Sequence, residues 1–339
     1  MKILLVNKYL YRKGGAETYF IKLGEYLKSL GNEVEYFGMA DERNCVGNRV
    51  EAYTENIDFH KKSLKHITYP FKIIYSVNAR KQIRKVLSDF KPDVVHLNNF
   101  NYQLTPSIIY EIKKHNIPIV YTAHDVQLVC PNHKLKNDYT DGLCRKCDGG
   151  KYFECVKNNC VHSSKIRSIL GAVEAWYYKL RHTYKMIDLT VCPSEFMEKE
   201  ISRNDDINGR TVTMYNFIDE IKPLGAECEN YVLYFGRYSE EKGISNLVKA
   251  AKKLSNIPFV FAGKGELENE VNSADNIKNV GFKTGDELRN IIEKALFTVL
   301  PAEWSENCPF SVMESQSLMT PVLGAKIGGI LELIDDGKT

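Results

Sequence analysis

The apolar residues of this chain form short runs that alternate with segments of helical periodicity. The runs predict strands at residues 2–7, 33–37, 94–97, 117–122, 231–236, 259–263 and 297–301. The periodic segments between them predict helices at residues 16–30, 76–87, 107–115, 244–254, 286–294 and 311–319. Residues 190–217 add a strand, a short helix and another strand. Strands that alternate with helices in this way indicate parallel sheets covered by helices on both faces.

The alternation is interrupted once, at a polar stretch that contains Pro223 and Gly225. The chain has 339 residues, about the length of two domains. We therefore predict two consecutive doubly wound domains, 1–222 and 223–339. Because the alternation is still running at the last residues, we expect the second domain to lack a C-terminal segment.

The composition is that of an ordinary globular protein, with 43% hydrophobic and 26% charged residues, and it argues against disorder. The apolar run after Lys2 is too short for a signal-peptide core, and no apolar run is long enough to span a bilayer. With no export signal, we expect a cytoplasmic protein.

Charge is divided unevenly between the two halves. Residues 1–222 contain 34 Lys and Arg against 26 Asp and Glu, whereas the rest of the chain contains 12 against 17. Residues 60–85 interleave basic side chains with Tyr, Phe and Ile. Such a segment either rests on an anionic membrane surface or is a solvated helix face, and the sequence leaves both readings open.

The candidate chemistry is concentrated in the second half. Glu306 and Glu314 flank Pro309 and the start of a predicted helix, whose unpaired N–H groups attract phosphate. Arg237 and Lys242 follow a predicted strand, and ligands of open α/β sheets bind at that end of the strands. Taken singly, each of these residues would be read as a helix cap or a solvated charge.

Taken together, the motifs resemble the retaining nucleotide-sugar glycosyltransferases of family 4, whose GT-B fold has two Rossmann-like domains facing across a cleft. The matching segments are Gly236-Arg237 with Lys242-Gly243, Ala262-Gly263-Lys264-Gly265, Glu306 with Glu314, Pro321-Val322 with Gly328-Gly329, Gly14-Gly15-Ala16-Glu17, and His124-Asp125. The GxGxxG fingerprint of dinucleotide dehydrogenases is absent after the first strand, which weakens an oxidoreductase reading.

The resemblance implies a role for each matching residue. Arg237 and Lys242 would bind the diphosphate, Glu306 and His124 the donor sugar, and Glu314 the ribose. The remaining implied contacts are the base near Gly281 and Phe282, the donor phosphates near Gly14 and Gly15, and the diphosphate near Asn307, Cys308, Pro309 and Phe310. Asp125 would orient its loop. Asn307 replaces the glycine that usually follows the first glutamate, which leaves the sugar's placement open.

The implied reaction is hexosyl transfer, with retention, from a UDP- or GDP-linked donor to a glycan or polyprenyl-linked acceptor in surface polysaccharide synthesis. Protein cations would stabilise the leaving phosphate, so we expect no catalytic cofactor. Two other readings are a GT-B epimerase or phosphorylase and a non-catalytic nucleotide-sugar-binding partner subunit. A lipid-linked acceptor would favour peripheral attachment to the inner face of the membrane. Nucleic acid is not an expected partner: a nucleic-acid module would be built on the cysteine cluster, where basic residues are not concentrated and no stacking aromatic residues accompany the cysteines.

A cysteine-rich insert occupies residues 130–162 of the first domain. Its core is Cys144-x2-Cys147-x7-Cys155-x4-Cys160, and four thiolates suit a structural zinc ion. Free thiols and disulfides are the alternatives, although cysteines in a reducing cytoplasm are rarely bridged. Cys130, His133 and His162 are further candidate ligands.

Overall fold

The computed structural model describes residues 1–56, 69–137 and 142–338. The chain divides into two compact units, Met1–Met214 and Tyr215–Thr339. The division lies eight residues before the predicted boundary because the intervening segment packs on the second unit. Asn216 donates a hydrogen bond to the Cys308 carbonyl (2.8 Å), and Ile221 packs against a core cluster that includes Tyr231.

The first unit is built on a six-stranded parallel sheet with the order β2-β1-β3-β4-β5-β6. Its strands are β1 (Lys2–Val6), β2 (Glu33–Phe37), β3 (Val94–Leu97), β4 (Ile119–Thr122), β5 (Leu189–Cys192) and β6 (Thr211–Thr213). Its helices are α1 (Gly15–Ser29), α2 (Tyr69–Ile74), α3 (Val77–Phe90), α4 (Ser107–Lys114), α5 (Phe153–Lys157), α6 (Lys165–Leu180) and α7 (Glu195–Ile201). Short 3-10 turns occur at Asp148–Gly150 and Thr183–Met186.

The second unit has a five-stranded parallel sheet with the order β11-β10-β7-β8-β9. Its strands are β7 (Val232–Arg237), β8 (Phe259–Lys264), β9 (Ile277–Asn279), β10 (Phe297–Leu300) and β11 (Val322–Gly324). Its helices are α8 (Ile244–Lys253), α9 (Glu268–Val271), α10 (Gly285–Lys294) and α11 (Phe310–Ser317), with 3-10 turns at Glu240–Lys242 and Gly328–Glu332.

The buried strands explain why apolar runs located the sheets. Leu4, Leu5 and Val6 of β1 are fully buried, with one core cluster on each face of the first sheet. In each unit the chain reverses its direction of travel across the sheet once, between β1 and β3 and between β7 and β10. Such reversals open a crevice at the carboxyl ends of the strands, where ligands of this architecture bind.

Four helices were not predicted from the sequence: α2, α5, α6 and α9. The longest is α6, which begins after Ser164, whose side chain accepts a hydrogen bond from the Arg167 amide. Within the proposed membrane-facing segment 60–85, residues 60–68 lie outside the described part of the chain, and the rest contains α2 and the first nine residues of α3. None of the helices in the described ranges is both long and apolar enough to cross a bilayer.

Candidate active site

In the second unit, the loops that flank the chain reversal carry a close ion pair. Lys242 ends the 3-10 turn that follows β7, and Glu306 lies in the loop between β10 and α11. The Lys242 Nζ donates to the Glu306 Oε1 at 2.5 Å, with the two side chains 26% and 12% exposed. The pair therefore joins the two sides of the crevice that sheet topology creates.

Two glycines hold this pair in place because no side chain fits where they lie. A Cβ on Gly243 would come within 1.9 Å of the Pro301 carbonyl oxygen, and one on Gly328 within 2.3 Å of that of Glu306. The Gly329 amide donates to the same Glu306 oxygen at 2.8 Å. The Lys-Gly and Gly-Gly motifs are thus packing devices that fix the backbones of Lys242 and Glu306.

The start of α11 adds a second source of positive potential. Pro309 precedes its first residue, Phe310, and within the described chain no side chain caps this end of the helix. The loop is anchored by the hydrogen bond from Asn216 to the Cys308 carbonyl. Because the first amides of a helix carry partial positive charge, this end suits a phosphate. Glu314 lies one turn further along the helix.

Arg237 and Lys264 end the neighbouring strands β7 and β8 in direct register. The strands approach closely here, since a Cβ on Gly263 would lie 1.9 Å from the Gly236 carbonyl oxygen. The Lys264 Nζ lies 5.3 Å from the centre of the Phe282 ring, in the loop predicted to contact the base. Lys264 extends the basic edge formed by Arg237, a role that its place in the Ala-Gly-Lys-Gly motif did not predict.

In the first unit, His124 follows β4 and lies against two residues from neighbouring elements. Its Nε2 is 2.8 Å from the Asn98 Oδ1, and its ring meets that of Tyr19 edge-on at 5.2 Å. Burial lowers the pKa of His124 to about 4, so the imidazole is neutral near pH 7. Burial, together with the nearby His124, also lowers the pKa of His96 to about 4.

Asp125 belongs to a separate polar cluster beside His124. Its Oδ2 is 3.4 Å from the His133 Nδ1, and its Oδ1 accepts from the Gln127 amide at 2.9 Å. Burial alone would raise the pKa of Asp125, but His133 and these hydrogen bonds outweigh it and the pKa is lowered. Lys8, which follows β1, donates to Asn101 of the same cluster at 2.8 Å. Sequence motifs identified Asp125 but not Lys8 or Asn101, which tertiary contacts bring to it.

The glycine turn of the first unit supplies the start of α1. Gly14 precedes the helix in an extended conformation, and Gly15 is its exposed first residue. Glu17 is buried in the first turn, which places a carboxylate close to the amides expected to approach donor phosphates. This charge reduces the attraction of that helix end for phosphate.

The cysteine-rich insert brings five thiols to one small cavity. Cys144, Cys147, Cys155 and Cys160 line it together with Cys130. Burial and the neighbouring thiols raise the pKa of Cys147 to about 12. All nine cysteines are unbridged. In the described ranges no three His, Cys, Asp or Glu side chains are arranged to hold a metal ion, so zinc binding stays a prediction.

Of the three additional candidate ligands, only Cys130 lies at the cysteine cavity. His133 instead contacts Asp125 and stacks on Tyr102 with the ring centres 5.6 Å apart. His162 is exposed and is not part of the cavity lining. Besides the five thiols, the Asp148 carboxylate also lines the cavity.

Comparison with known proteins identifies the family of the chain. The signature of Glycosyltransferase Family 4 matches residues 13–221, and that of Glycosyl transferases group 1 matches residues 217–339. The chain belongs to glycosyltransferase family 4. Its two parallel-sheet units are the Rossmann-like domains of the GT-B fold, which confirms the predicted fold class.

Three similar proteins illustrate the relationship. An uncharacterised 42.6 kDa protein in the cps region of Klebsiella pneumoniae is 26% identical, over 98% of this chain and 87% of its own length. The lipopolysaccharide 1,2-N-acetylglucosaminetransferase of Salmonella typhimurium is 32% identical over 34% of this chain and 35% of its own. The crystal structure of Anabaena HepE with UDP-glucose has a TM-score of 0.64 at 16% identity, over 99% of this chain and 84% of its own.

Proposed function

We propose that this glycosyltransferase moves a hexose from a nucleoside diphosphate sugar to a glycan or lipid-linked acceptor, with retention of the anomeric configuration. The observation that carries the proposal is the Lys242–Glu306 pair at the chain reversal of the second unit, beside the start of α11. The cations and helix amides suit the diphosphate of a nucleotide sugar, and the carboxylate beside them suits the hydroxyl groups of its sugar.

The chemistry follows from where charge develops. As the bond between the anomeric carbon and the diphosphate oxygen breaks, negative charge grows on the diphosphate. Arg237, Lys242 and the first amides of α11 stabilise that charge, and the acceptor hydroxyl attacks from the same face. Its proton passes to the departing phosphate oxygen. Removing one such preorganised donor costs about 2.7–4 kcal/mol of barrier in other enzymes.

Glu306 has two tasks in this scheme. One carboxylate oxygen accepts from Lys242, which orients the lysine, and the carboxylate retains capacity to accept from hydroxyl groups of a sugar. His124 of the first unit is suited to the same kind of contact. As a neutral imidazole it both donates and accepts hydrogen bonds, so it can bind a sugar hydroxyl without introducing charge.

The donor and the biosynthetic role are proposed at the level of the donor's nucleotide and the type of glycan. Solved complexes of HepE contain UDP and UDP-glucose, which supports a uridine diphosphate donor, and GDP-sugars are the alternative. The Klebsiella relative in a cps region and the Salmonella lipopolysaccharide enzyme support a role in surface polysaccharide synthesis.

The proposal is tested with a panel of UDP- and GDP-sugars, by calorimetric binding and by transfer to polyprenyl-linked sugar acceptors. Arg237→Ala and Glu306→Gln should each reduce kcat at least about a hundredfold. Lys249→Ala is the control: it removes an exposed cation of α8 that is not part of the proposed site, and it should leave kcat unchanged. Retention is read from the anomeric coupling constant of the product by NMR.

Each outcome has a distinct meaning. Donor binding without transfer to any acceptor would support the partner-subunit reading instead. Interconversion of the donor sugar, or release of a sugar phosphate, would support an epimerase or a phosphorylase. Equal activity of Arg237→Ala, Glu306→Gln and the unchanged chain would refute the proposed site.

A further inference from the structure

Helix α6 of the first unit presents an unusual face to solvent. The exposed apolar residues of this helix are Ile166, Ile169, Val173, Trp176 and Leu180, and their exposed fractions run from 36% to 80%. Most surface helices of soluble proteins carry polar residues at such positions. Phe153, in the adjoining α5, is also 52% exposed. Monomeric proteins rarely expose a continuous apolar patch of this kind unless it binds something.

The spacing of these residues makes them a single stripe. They follow one another at intervals of three, four, three and four residues, which at 3.6 residues per turn confines them to about 80° of the helix circumference. The stripe is about 21 Å long at a rise of 1.5 Å per residue. We call these five residues of α6 the apolar stripe.

Basic residues flank the apolar stripe on both sides. On the helical projection Lys165 and Lys179 fall on one side of it, and Arg167 and Arg181 fall on the other. Every exposed position from 165 to 181 is apolar or basic. Glu174 is the only acidic residue of α6 and it is not exposed; burial raises its pKa to about 7.

The apolar stripe is not the face by which α6 packs on the core of the first unit. Ser168, Ala172 and Tyr178 are its buried residues and face the body of the unit. Trp176 lies at the border, where its Nε1 donates to the Gly150 carbonyl at 3.0 Å while its ring remains 36% exposed. Tryptophan in such a setting is typical of an interface between water and lipid.

The charge pattern decides which partner the stripe fits. A two-fold contact with a second copy would bring each helix's four cations against the same four cations of its partner, which is unfavourable. An anionic lipid surface instead complements them: the apolar side chains enter the acyl region, and the lysine and arginine heads reach the phosphates.

We propose that the apolar stripe of α6 binds the first unit to an anionic lipid bilayer as an interfacial helix. This inference is independent of transfer activity, because it rests on the exposed face of one helix and is measured by binding alone. It places the membrane-binding surface in α6 rather than in residues 60–85.

Sedimentation with lipid vesicles tests the proposal on the full chain. Vesicles of phosphatidylglycerol and phosphatidylcholine in equal parts should bind the chain, and vesicles of phosphatidylcholine alone should bind it at least tenfold less. Ile166→Ser combined with Leu180→Ser, the two most exposed positions of the stripe, should weaken binding at least tenfold. Val77→Ser with Leu323→Ser removes two comparably exposed apolar residues elsewhere and should leave binding unchanged.

A second measurement locates the contact. The chain has two tryptophans, so Trp304→Phe leaves Trp176 as the only one. Its emission should shift to shorter wavelength with anionic vesicles and should be quenched by brominated acyl chains. Circular dichroism of each variant checks that it folds. The proposal is overturned if the unchanged chain does not bind anionic vesicles, if the control pair weakens binding equally, or if the stripe variants instead abolish a dimer that does not bind vesicles.

Discussion

Two partly buried imidazoles give the first unit a specific dependence of stability on pH. His96 lies in β3 with its Nε2 2.7 Å from the Thr122 hydroxyl, and His124 lies beside Asn98. Both pKa values are lowered from 6.5 to about 4, chiefly by burial. In the unfolded chain each imidazole takes up a proton as the pH falls below 6.5, whereas in the folded unit each stays neutral until about pH 4. The stability they contribute is therefore complete above pH 6.5 and is lost between pH 6.5 and 4.

The size of the effect follows from these values. Between pH 7 and pH 5 the unfolded state gains about 2 kcal/mol for each imidazole that the folded state keeps neutral, or about 4 kcal/mol for the two. His124→Gln keeps an amide that can bond to Asn98 but removes one titrating group. The variant should therefore lose only about half as much unfolding free energy from these two sites over the same interval.

Urea unfolding at several pH values measures this directly. Each unit contains one tryptophan, Trp176 in the first and Trp304 in the second, so Trp304→Phe gives a fluorescence signal from the first unit alone. His115→Gln, which removes an exposed imidazole at the end of α4, is the matched control and should follow the unchanged chain. If His124→Gln lost as much stability as the unchanged chain between pH 7 and pH 5, the pKa of His124 could not be lowered in the folded unit.

Three further predictions concern the second unit and the cysteine cavity. Gly328→Ala should lower the unfolding free energy of the second unit by about 1–3 kcal/mol more than Gly285→Ala does. The two glycines have nearly the same positive φ (59° and 58°), but only at Gly328 would an added Cβ clash with a carbonyl oxygen. Urea unfolding followed by the fluorescence of Trp304 measures the difference. Lys242→Met should lower the unfolding free energy of the second unit by less than the roughly 3–5 kcal/mol that breaking a fully buried ion pair costs, because the Glu306 carboxylate left behind is partly exposed. An unchanged unfolding free energy would show that the Lys242–Glu306 pair does not form. If zinc binds the four thiols of the sequence motif, Cys147→Ser should reduce the metal measured by mass spectrometry of purified protein. The exposed Cys45→Ser should not reduce it, and metal-free unchanged protein would refute the zinc site.

The sheets could be predicted from the sequence because their strands are buried on both faces. The observed strand β2 has the predicted bounds, and β1 ends one residue earlier than predicted. Helix α6 was missed for the opposite reason. Its apolar residues occupy the exposed stripe as well as the buried face that contains Ala172 and Tyr178, so they do not show the one-sided pattern of a surface helix.

The candidate site was predictable as a set of residues but not as a set of contacts. The motifs identified Lys242 and Glu306, yet nothing in the sequence showed that two residues 64 positions apart would bond to each other. The spacing of the motif likewise did not show that Cys130 would join the other four thiols at one cavity. Contacts of this kind arise from tertiary packing, which spacing along the chain does not encode.

The segment between β4 and β5 connects the cysteine cavity to the apolar stripe. Cys147 precedes the turn that contains Gly150, whose carbonyl accepts from Trp176, and the Tyr152 ring lies 6.3 Å from that of Trp176. The cysteine loop therefore contacts the apolar stripe at Trp176. If zinc binds the thiols, removing it with a chelator should broaden and red-shift the Trp176 emission and weaken vesicle binding, without altering the fluorescence of Trp304 in the second unit. A chelator effect on metal content with no change at Trp176 would show that the cavity and the stripe are independent.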